Sequence, residues 1–350
     1  MIHGALDHAE LATLGLQSDS MCDFSSNINP FGPPESVRTA VANVDLASYP
    51  DRSCYQIRLA LAEHHCCDPA HLLVGNGSNE LIHLIARALL NPGNTALVVE
   101  PTFGEYAHAT RLAGGMVVSQ SFPDHIETLC KAIKRYQPRL VWVCMPNNPT
   151  GQTVPMEEVA ALAEVCTMCD SLLVLDRTYH AFARDADPLH DPLDQLALPQ
   201  VLRLHSLTKS YALAGVRLGY LHAEPALIKR IGVYQPTWSV NSIAQVAAIA
   251  ALADQTFLHD TIPLVWQGSD YIVKEMTNLA LPIVRNDMPF MLVKAGNGAQ
   301  VRMSLLQRGF AVRDCASFGL PEYVRIAPQC PENNQRLIGA WQALLTYSEK

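Results

Sequence analysis

The sequence predicts an α/β fold in two parts: a large domain with a mostly parallel sheet between helices, and a smaller α+β domain. Three observations predict it. Helix and strand signals alternate along the 350 residues, the pattern of βαβ units. The strand signals are continuous apolar runs, as expected of strands covered on both faces of a parallel sheet. The chain is also too long for one core, because single cores stop growing near ~250–300 residues.

Residues 53–66 place Ile57, Leu59, Leu61 and Ala62 at roughly helical spacing, and Asp68-Pro69 then breaks the segment. A stronger helix over 79–90 follows the glycine-rich GNGSN. Strands are predicted at 95–99 (TALVV), 116–118, 140–144 (LVWVC) and 171–175 (SLLVL), with helical patterns between most of them. The helix predicted over 155–169 starts with Pro155, Glu157 and Glu158, which suit a helix first turn and its positive dipole end. Residues 140–175 therefore read as strand, loop, helix, strand. After residue 225 the texture changes to a helix over 242–253, a polar helical region, and short strands near 290–293, 310–313 and 323–326, so a second domain is expected there.

Composition narrows the function. With 49% apolar and 17% charged residues, the chain has the makings of a large core and is not disordered. Lys plus Arg number 25 against 33 Asp plus Glu, a net charge of −8, so no basic field exists to hold nucleic acid. The first residues, MIHGALDHAELATLG, carry neither the basic nor the apolar region of a leader, and no run approaches the ~20 apolar residues of a membrane helix. No membrane partner and a cytoplasmic location are expected. The ten cysteines follow no framework spacing and read as reduced, mostly buried thiols. His64, His65, Cys66 and Cys67 are adjacent rather than spaced as ligands, so no metal is expected.

Four features fall near the ends of predicted strands or at a helix start, where open α/β sheets bind ligands. MPNNPTG at 145–151 follows strand 140–144, and is equally readable as a simple turn. Asp176 ends SLLVL with Tyr179 three residues on; alone, such an Asp is as readily a helix cap. HSLTKSYALAGVRLGY at 205–220 surrounds Lys209 with Ser206, Thr208 and Ser210 and places Arg217 eight positions later. Two hydroxyls and a guanidinium fork suit a phosphate, although an isolated lysine is usually a surface residue. GNGSNE at 75–80 opens a helix whose free N–H groups favour an anion, or is a tight turn with a cap.

In this order, and together with DFSSNINPFGPP at 23–34, YPD at 49–51, EPTFGEY at 100–106 and YVRIA at 323–327, the four features resemble the fold-type I pyridoxal-phosphate enzymes of the aspartate aminotransferase superfamily. Within it the sequence is similar to the branch of histidinol-phosphate aminotransferase and threonine-phosphate decarboxylase. The resemblance implies that Lys209 would hold the cofactor as a Schiff base and shuttle the proton, with Asp176 paired to the pyridinium nitrogen. Asn148 and Tyr179 would donate to the ring's phenolate oxygen, and Phe103 would stack on the ring. Gly77, Ser78, Asn79, Ser206, Thr208 and Arg217 would hold the cofactor phosphate, joined by Tyr49 from a partner subunit in a homodimer. Arg325 would clamp a substrate carboxylate. Arg313 and His3 would meet a substrate phosphate, and Asn29 is expected among the substrate contacts. The resemblance also implies a large domain over 31–235 and a small one combining 1–30 with 236–350.

DFSSNINPFGPP, QPTWSVNSIAQ at 235–245 and the His3-Gly4 pair lean toward threonine-phosphate decarboxylase, so a phosphorylated amino-acid substrate and decarboxylation, as in cobalamin side-chain precursor synthesis, are the first expectation. Histidinol-phosphate aminotransferase or a related class I/II aminotransferase is the alternative. Two departures stand out: Ala5-Leu6 replaces the decarboxylase group's Gly-Asn, and Asp176-Arg177-Thr178-Tyr179 replaces the usual Asp-Glu-Ala-aromatic motif. A non-catalytic binding protein of this fold would be expected to lack Lys209 or Asp176, and a nucleotide-binding Rossmann enzyme would need a G-x-G-x-x-G that GNGSNE does not complete.

Overall fold

The computed structural model describes residues 4–122, 125–196 and 198–348. Its strands are β1 (Cys22–Asp23), β2 (Leu72–Asn76), β3 (Thr95–Glu100), β4 (Met116–Ser121), β5 (Leu140–Cys144), β6 (Leu172–Asp176), β7 (Val201–Ser206), β8 (Leu218–His222), β9 (Ile283–Val284), β10 (Met291–Lys294), β11 (Phe310–Ala311), β12 (Arg313–Asp314) and β13 (Tyr323–Ile326). Seven of them form one sheet in the order β2-β8-β7-β6-β5-β3-β4. Only β8 runs antiparallel to its neighbours, so the carboxyl ends of the other six lie along one edge.

The apolar runs behave as the sequence suggests, since every residue of β5 and β6 is buried. Leu97 and Val99 face one helical layer with Ile133, Leu162 and Cys166, while Ala96 and Val98 face the other with Leu81, Ile85 and Leu89. Each such fully buried aliphatic side chain contributes roughly 1.5–3 kcal/mol. Strands β2, β7 and β8 escape the apolar-run criterion: β7 carries Arg203 and His205 among its apolar residues, β8 carries Gly219 and ends in His222, and β2 ends in Gly75-Asn76.

The expected strand at 310–313 divides in two. β11 pairs in parallel with β1, while β12 joins the second sheet, β12-β13-β10-β9, which is antiparallel throughout. Phe24 thereby enters the core of Met291, Val293, Val324, Leu337 and Trp341, tying the amino terminus to the carboxyl-terminal part. The helix Ser242–Ala253, expected in the small domain, packs instead with Val37, Ile57 and Leu61 beside the large sheet. The next helix, Phe257–Asn278, gives Leu258, Ile262 and Val265 to that core and Ile272 and Met276 to the other. We propose that the division between domains falls within this helix rather than at residue 236. Among the described residues no helix is long and apolar enough to cross a membrane.

Candidate active site

A cavity of about 330 Å³ opens at the carboxyl edge of the large sheet, against the second sheet. Four strands of the large sheet, β5, β6, β7 and β2, lead into its floor. β5 ends in Cys144 and leads to Asn148; β6 ends in Asp176 and leads to Tyr179; β7 ends in Ser206, which caps the short helix Leu207–Ser210 carrying Lys209; and β2 leads into the helix Gly77–Leu89. That last helix starts without a side-chain cap and lines the cavity with Ser78 and Asn79, and the Glu80 carboxylate accepts from Asn76 N (2.7 Å) to hold the turn. Gly77 has φ +78°, and a side chain there would strike the Arg217 guanidinium at 2.8 Å. The cradle between them is thus reserved for something that approaches backbone closely.

Asp176 is buried, and its two oxygens accept from Thr178 N (2.9 Å) and from the Tyr106 hydroxyl (2.6 Å). Burial pushes its carboxyl pKa up, opposed by Thr178 and Tyr106. Lys209 is pushed down to about 8, by burial and by the positive charges of Arg325 and Arg217. Tyr179 is pushed up to about 12 by burial; its hydroxyl accepts from Asn27 Nδ2 (3.4 Å), which leaves its proton available to donate. Across the cavity, Arg325 donates to Asn148 Oδ1 and to Ser25 O, and its buried Nε has no partner among the described residues. Asn148 therefore keeps its NH₂ group to donate inward. Arg313 stands directly opposite Arg325 in the β12–β13 register and donates to Ser317 Oγ (2.7 Å).

Most of the expected residues meet at this cavity: Ser78, Asn79, Phe103, Asn148, Asp176, Tyr179, Thr208, Lys209, Arg217, Arg313 and Arg325 line it, and Gly77 borders it through Arg217. Others do not. Asn29 is 1% exposed; its Nδ2 donates to Ser210 O and Thr261 Oγ1 and its Oδ1 accepts from Phe31 N, so it braces the lysine helix and does not line the cavity. Ser206 lies behind Thr208, their hydroxyls bonded at 2.6 Å. Tyr49 is 81% exposed, stacked on Trp238 at 4.7 Å and away from this chain's own cavity. His3 lies outside the described residues. Sequence reasoning did not assign Tyr106, although EPTFGEY contains it, nor Asp23, which receives the Ser25 and Ser26 hydroxyls (both 2.6 Å) and so shapes the wall beside Arg325.

The arrangement presents one partly neutral amine, one buried carboxylate, an anion cradle and two facing guanidiniums. Over residues 19–340 the chain matches the family described as aminotransferase class I and II. The chain belongs to this family. It is 34% identical over 344 residues to histidinol-phosphate aminotransferase 2 of Ralstonia nicotianae, covering 96% of this chain and 91% of the relative, and 33% identical to histidinol-phosphate aminotransferase 1 of Cupriavidus pinatubonensis, covering 95% and 90%. Among solved structures, histidinol-phosphate aminotransferase of Sinorhizobium meliloti in complex with pyridoxal 5'-phosphate superimposes with a TM-score of 0.86, 26% identity and 97% and 94% coverage. L-threonine-O-3-phosphate decarboxylase of Porphyromonas gingivalis gives a TM-score of 0.83, 25% identity and 92% and 99% coverage.

This aminotransferase-family chain is a pyridoxal-phosphate-dependent enzyme of fold type I, and its site fits the cofactor. The Gly77–Arg217 cradle and the free helix N-terminus match a phosphate, Asp176 a protonated ring nitrogen, and a lysine brought to about 8 an aldehyde-binding amine. Arg177, the departure in the Asp-Arg-Thr-Tyr motif, points away from the cavity and pairs with Asp191.

Proposed function

We propose that the protein is an aminotransferase that acts on a small phosphorylated amino compound, of the histidinol-phosphate type. The observation that carries this reading is the cross-strand pair Arg313 and Arg325, both buried, which puts two guanidiniums on one wall facing Lys209. Such a wall suits the phosphate of histidinol phosphate, which has no carboxylate of its own, in one half of the reaction and the carboxylates of the oxo-acid partner in the other. The amino-terminal motifs lean to the decarboxylase, but the curated relatives at 33–34% identity are named as aminotransferases, and this supports the alternative over the first expectation.

The bound cofactor supplies an electron sink for negative charge at the substrate's α-carbon. In this reading Lys209 holds the cofactor and afterwards moves the proton at that carbon, Asp176 keeps the ring nitrogen protonated, Asn148 and Tyr179 donate to the ring oxygen, and Phe103 covers one face. Gly77, Ser78, Asn79, Thr208 and Arg217 hold the cofactor phosphate. Where the substrate carries a carboxylate, Arg325 would orient it, and that orientation would select which bond at the α-carbon is labilised. Decarboxylation is the second reading, favoured by the structural likeness to the P. gingivalis enzyme.

Leu46, Tyr49, Val233, Tyr234 and Trp238 are exposed, with Tyr49 stacked on Trp238, and we propose that a second copy covers them, with Tyr49 reaching the neighbour's cofactor phosphate. Two assays test the reaction. Histidinol phosphate with 2-oxoglutarate is expected to yield glutamate stoichiometrically; carbon dioxide from phosphothreonine without an oxo acid would reverse the choice.

A further inference from the structure

The turn after β6 carries both Asp176 and Tyr179, and between them stands Arg177 where the resemblance leads one to expect an acidic residue. The Arg177 guanidinium is 5% exposed and uses every face. Its Nε and Nη2 donate to the two oxygens of Asp191 (2.7 and 2.9 Å), Nη2 also donates to His180 Nδ1 (2.7 Å), and Nη1 donates to Met145 O (2.8 Å). Because arginine only donates, His180 carries its proton on Nε2, which gives it to His190 O (3.0 Å).

Met145 is the point of interest. It opens the MPNNP turn that ends in Asn148, and its own N–H donates to Asp176 O (2.9 Å). One guanidinium therefore cross-links the turn bearing Asp176 and Tyr179 to the turn bearing Asn148, with Asp191 behind it and Leu204 O accepting the Arg177 N–H (2.7 Å) from β7. These three side chains would make all the polar contacts to the cofactor ring. A buried ion pair of this kind is a poor source of net stability, because desolvation offsets its attraction and an apolar pair of similar volume often does as well. What a planar fork with five fixed donors supplies is geometry.

We propose that Arg177 is a positioning residue: with Asp191 it fixes the spacing between the Asp176–Tyr179 turn and the Asn148 turn, and so the alignment of the cofactor ring. The inference rests on the ring contacts assigned above. The charge at this position is reversed relative to the expected motif, and Asp191 and Met145 O are the groups that accommodate the reversal.

The test uses the holoenzyme with Arg177→Lys, and with Arg177→Met combined with Asp191→Asn, whose amide oxygen still accepts from Leu193 N. The lysine keeps a charge against Asp191 but cannot also reach Met145 O in the same plane; the double variant removes both charges and leaves no buried ion alone, so it remains folded even if the lysine variant does not. In both, cofactor affinity is expected to fall about tenfold, kcat to fall more than KM changes, and the pH midpoint of the bound cofactor's visible absorbance to move, with melting temperature little affected. Wild-type affinity and an unmoved absorbance midpoint in the folded double variant would overturn the assignment and leave Arg177 a packing residue. Asp176→Asn is the reference: if it leaves the absorbance profile unchanged, the ring contacts themselves are wrong, whereas a shift there with none in the Arg177 variants isolates the failure to the positioning role.

Discussion

The two faces of the loop layer at the carboxyl edge treat charge in opposite ways. Behind it, every charge is met at once: Arg177 by Asp191, and Arg203 by Asp194, which also accepts from His65 Nδ1 (2.6 Å). Arg203 further donates to His222 Nε2 (3.1 Å), so His65, Asp194 and His222, which stand close enough to gather round a cation, already have a guanidinium among them. In front, Lys209, Arg217 and Arg325 crowd together, and among the described residues none forms an ion pair with a carboxylate. The nearby Asp23 spends its oxygens on Ser25 and Ser26. A fold that can neutralise itself behind the site, and leaves cations gathered within it, is suited to anions that arrive from outside; in the function proposed above these are a phosphate at Arg217 and anionic substrate groups at Arg325 and Arg313.

That contrast can be broken at the front first. Lys209→Ala is expected to lower kcat by on the order of 10⁴-fold or more and to abolish the borohydride-reducible cofactor adduct, because no other amine takes its place. A reducible adduct persisting at another lysine would refute the assignment. Arg325→Gln comes next: it loses the fork but keeps a polar side chain, and steady-state kinetics with a carboxylate substrate should show kcat/KM lower by about 10²–10³, roughly 3–4 kcal/mol. The rear is expected to answer in stability rather than kinetics. Asp194→Asn leaves Arg203 facing neutral partners, and chemical unfolding of the apoprotein should report a loss of about 3 kcal/mol, the low end for a broken buried pair, with the KM of the surviving enzyme unchanged. A KM shift as large as that of Arg325→Gln would mean that the two faces are not separate.

The legible part of this site is the part written in short contiguous segments. Asn148 and Lys209 sit in motifs whose glycine, proline and hydroxyl content already states a turn or a phosphate contact, and Asp176 ends an apolar run that any strand criterion finds. Asn29 sits in an equally suggestive segment, yet its work is set by Ser210 and Thr261, the latter 232 positions away, which no local pattern reports. Tyr106 has the same problem in reverse: its partner Asp176 is 70 positions on, and the stacking on Trp142 at 5.3 Å that fixes the ring is tertiary. Strands β7 and β8 were hidden for a related reason. Arg203 of β7 and His222 of β8 face one another across the sheet and are hydrogen-bonded there, and His205 stacks on Tyr220 at 4.8 Å, contacts that no local pattern reports.

The smallest expected effect is also the most direct reading of the front face. A lysine lowered from 10.5 to about 8 is stable as a neutral amine where an ordinary lysine is not. Between those two values the unfolded chain holds a proton that the folded apoprotein has released, so apoprotein stability should rise with pH across that interval; below about 8 the amine is charged in both states and the cost of burying it is borne in full. Capture of pyridoxal phosphate by the apoprotein should accordingly accelerate with pH about a midpoint near 8, since only the neutral amine attacks the aldehyde. Burial is the larger cause of the depression and the cationic neighbours the lesser. Arg217→Gln should therefore raise the capture midpoint only slightly, by less than about one unit, while weakening cofactor affinity through the lost phosphate contact. A midpoint that stays fixed in this variant would assign the depression to desolvation and Arg325, and would leave Arg217 as a feature of ligand binding without a part in activating the lysine.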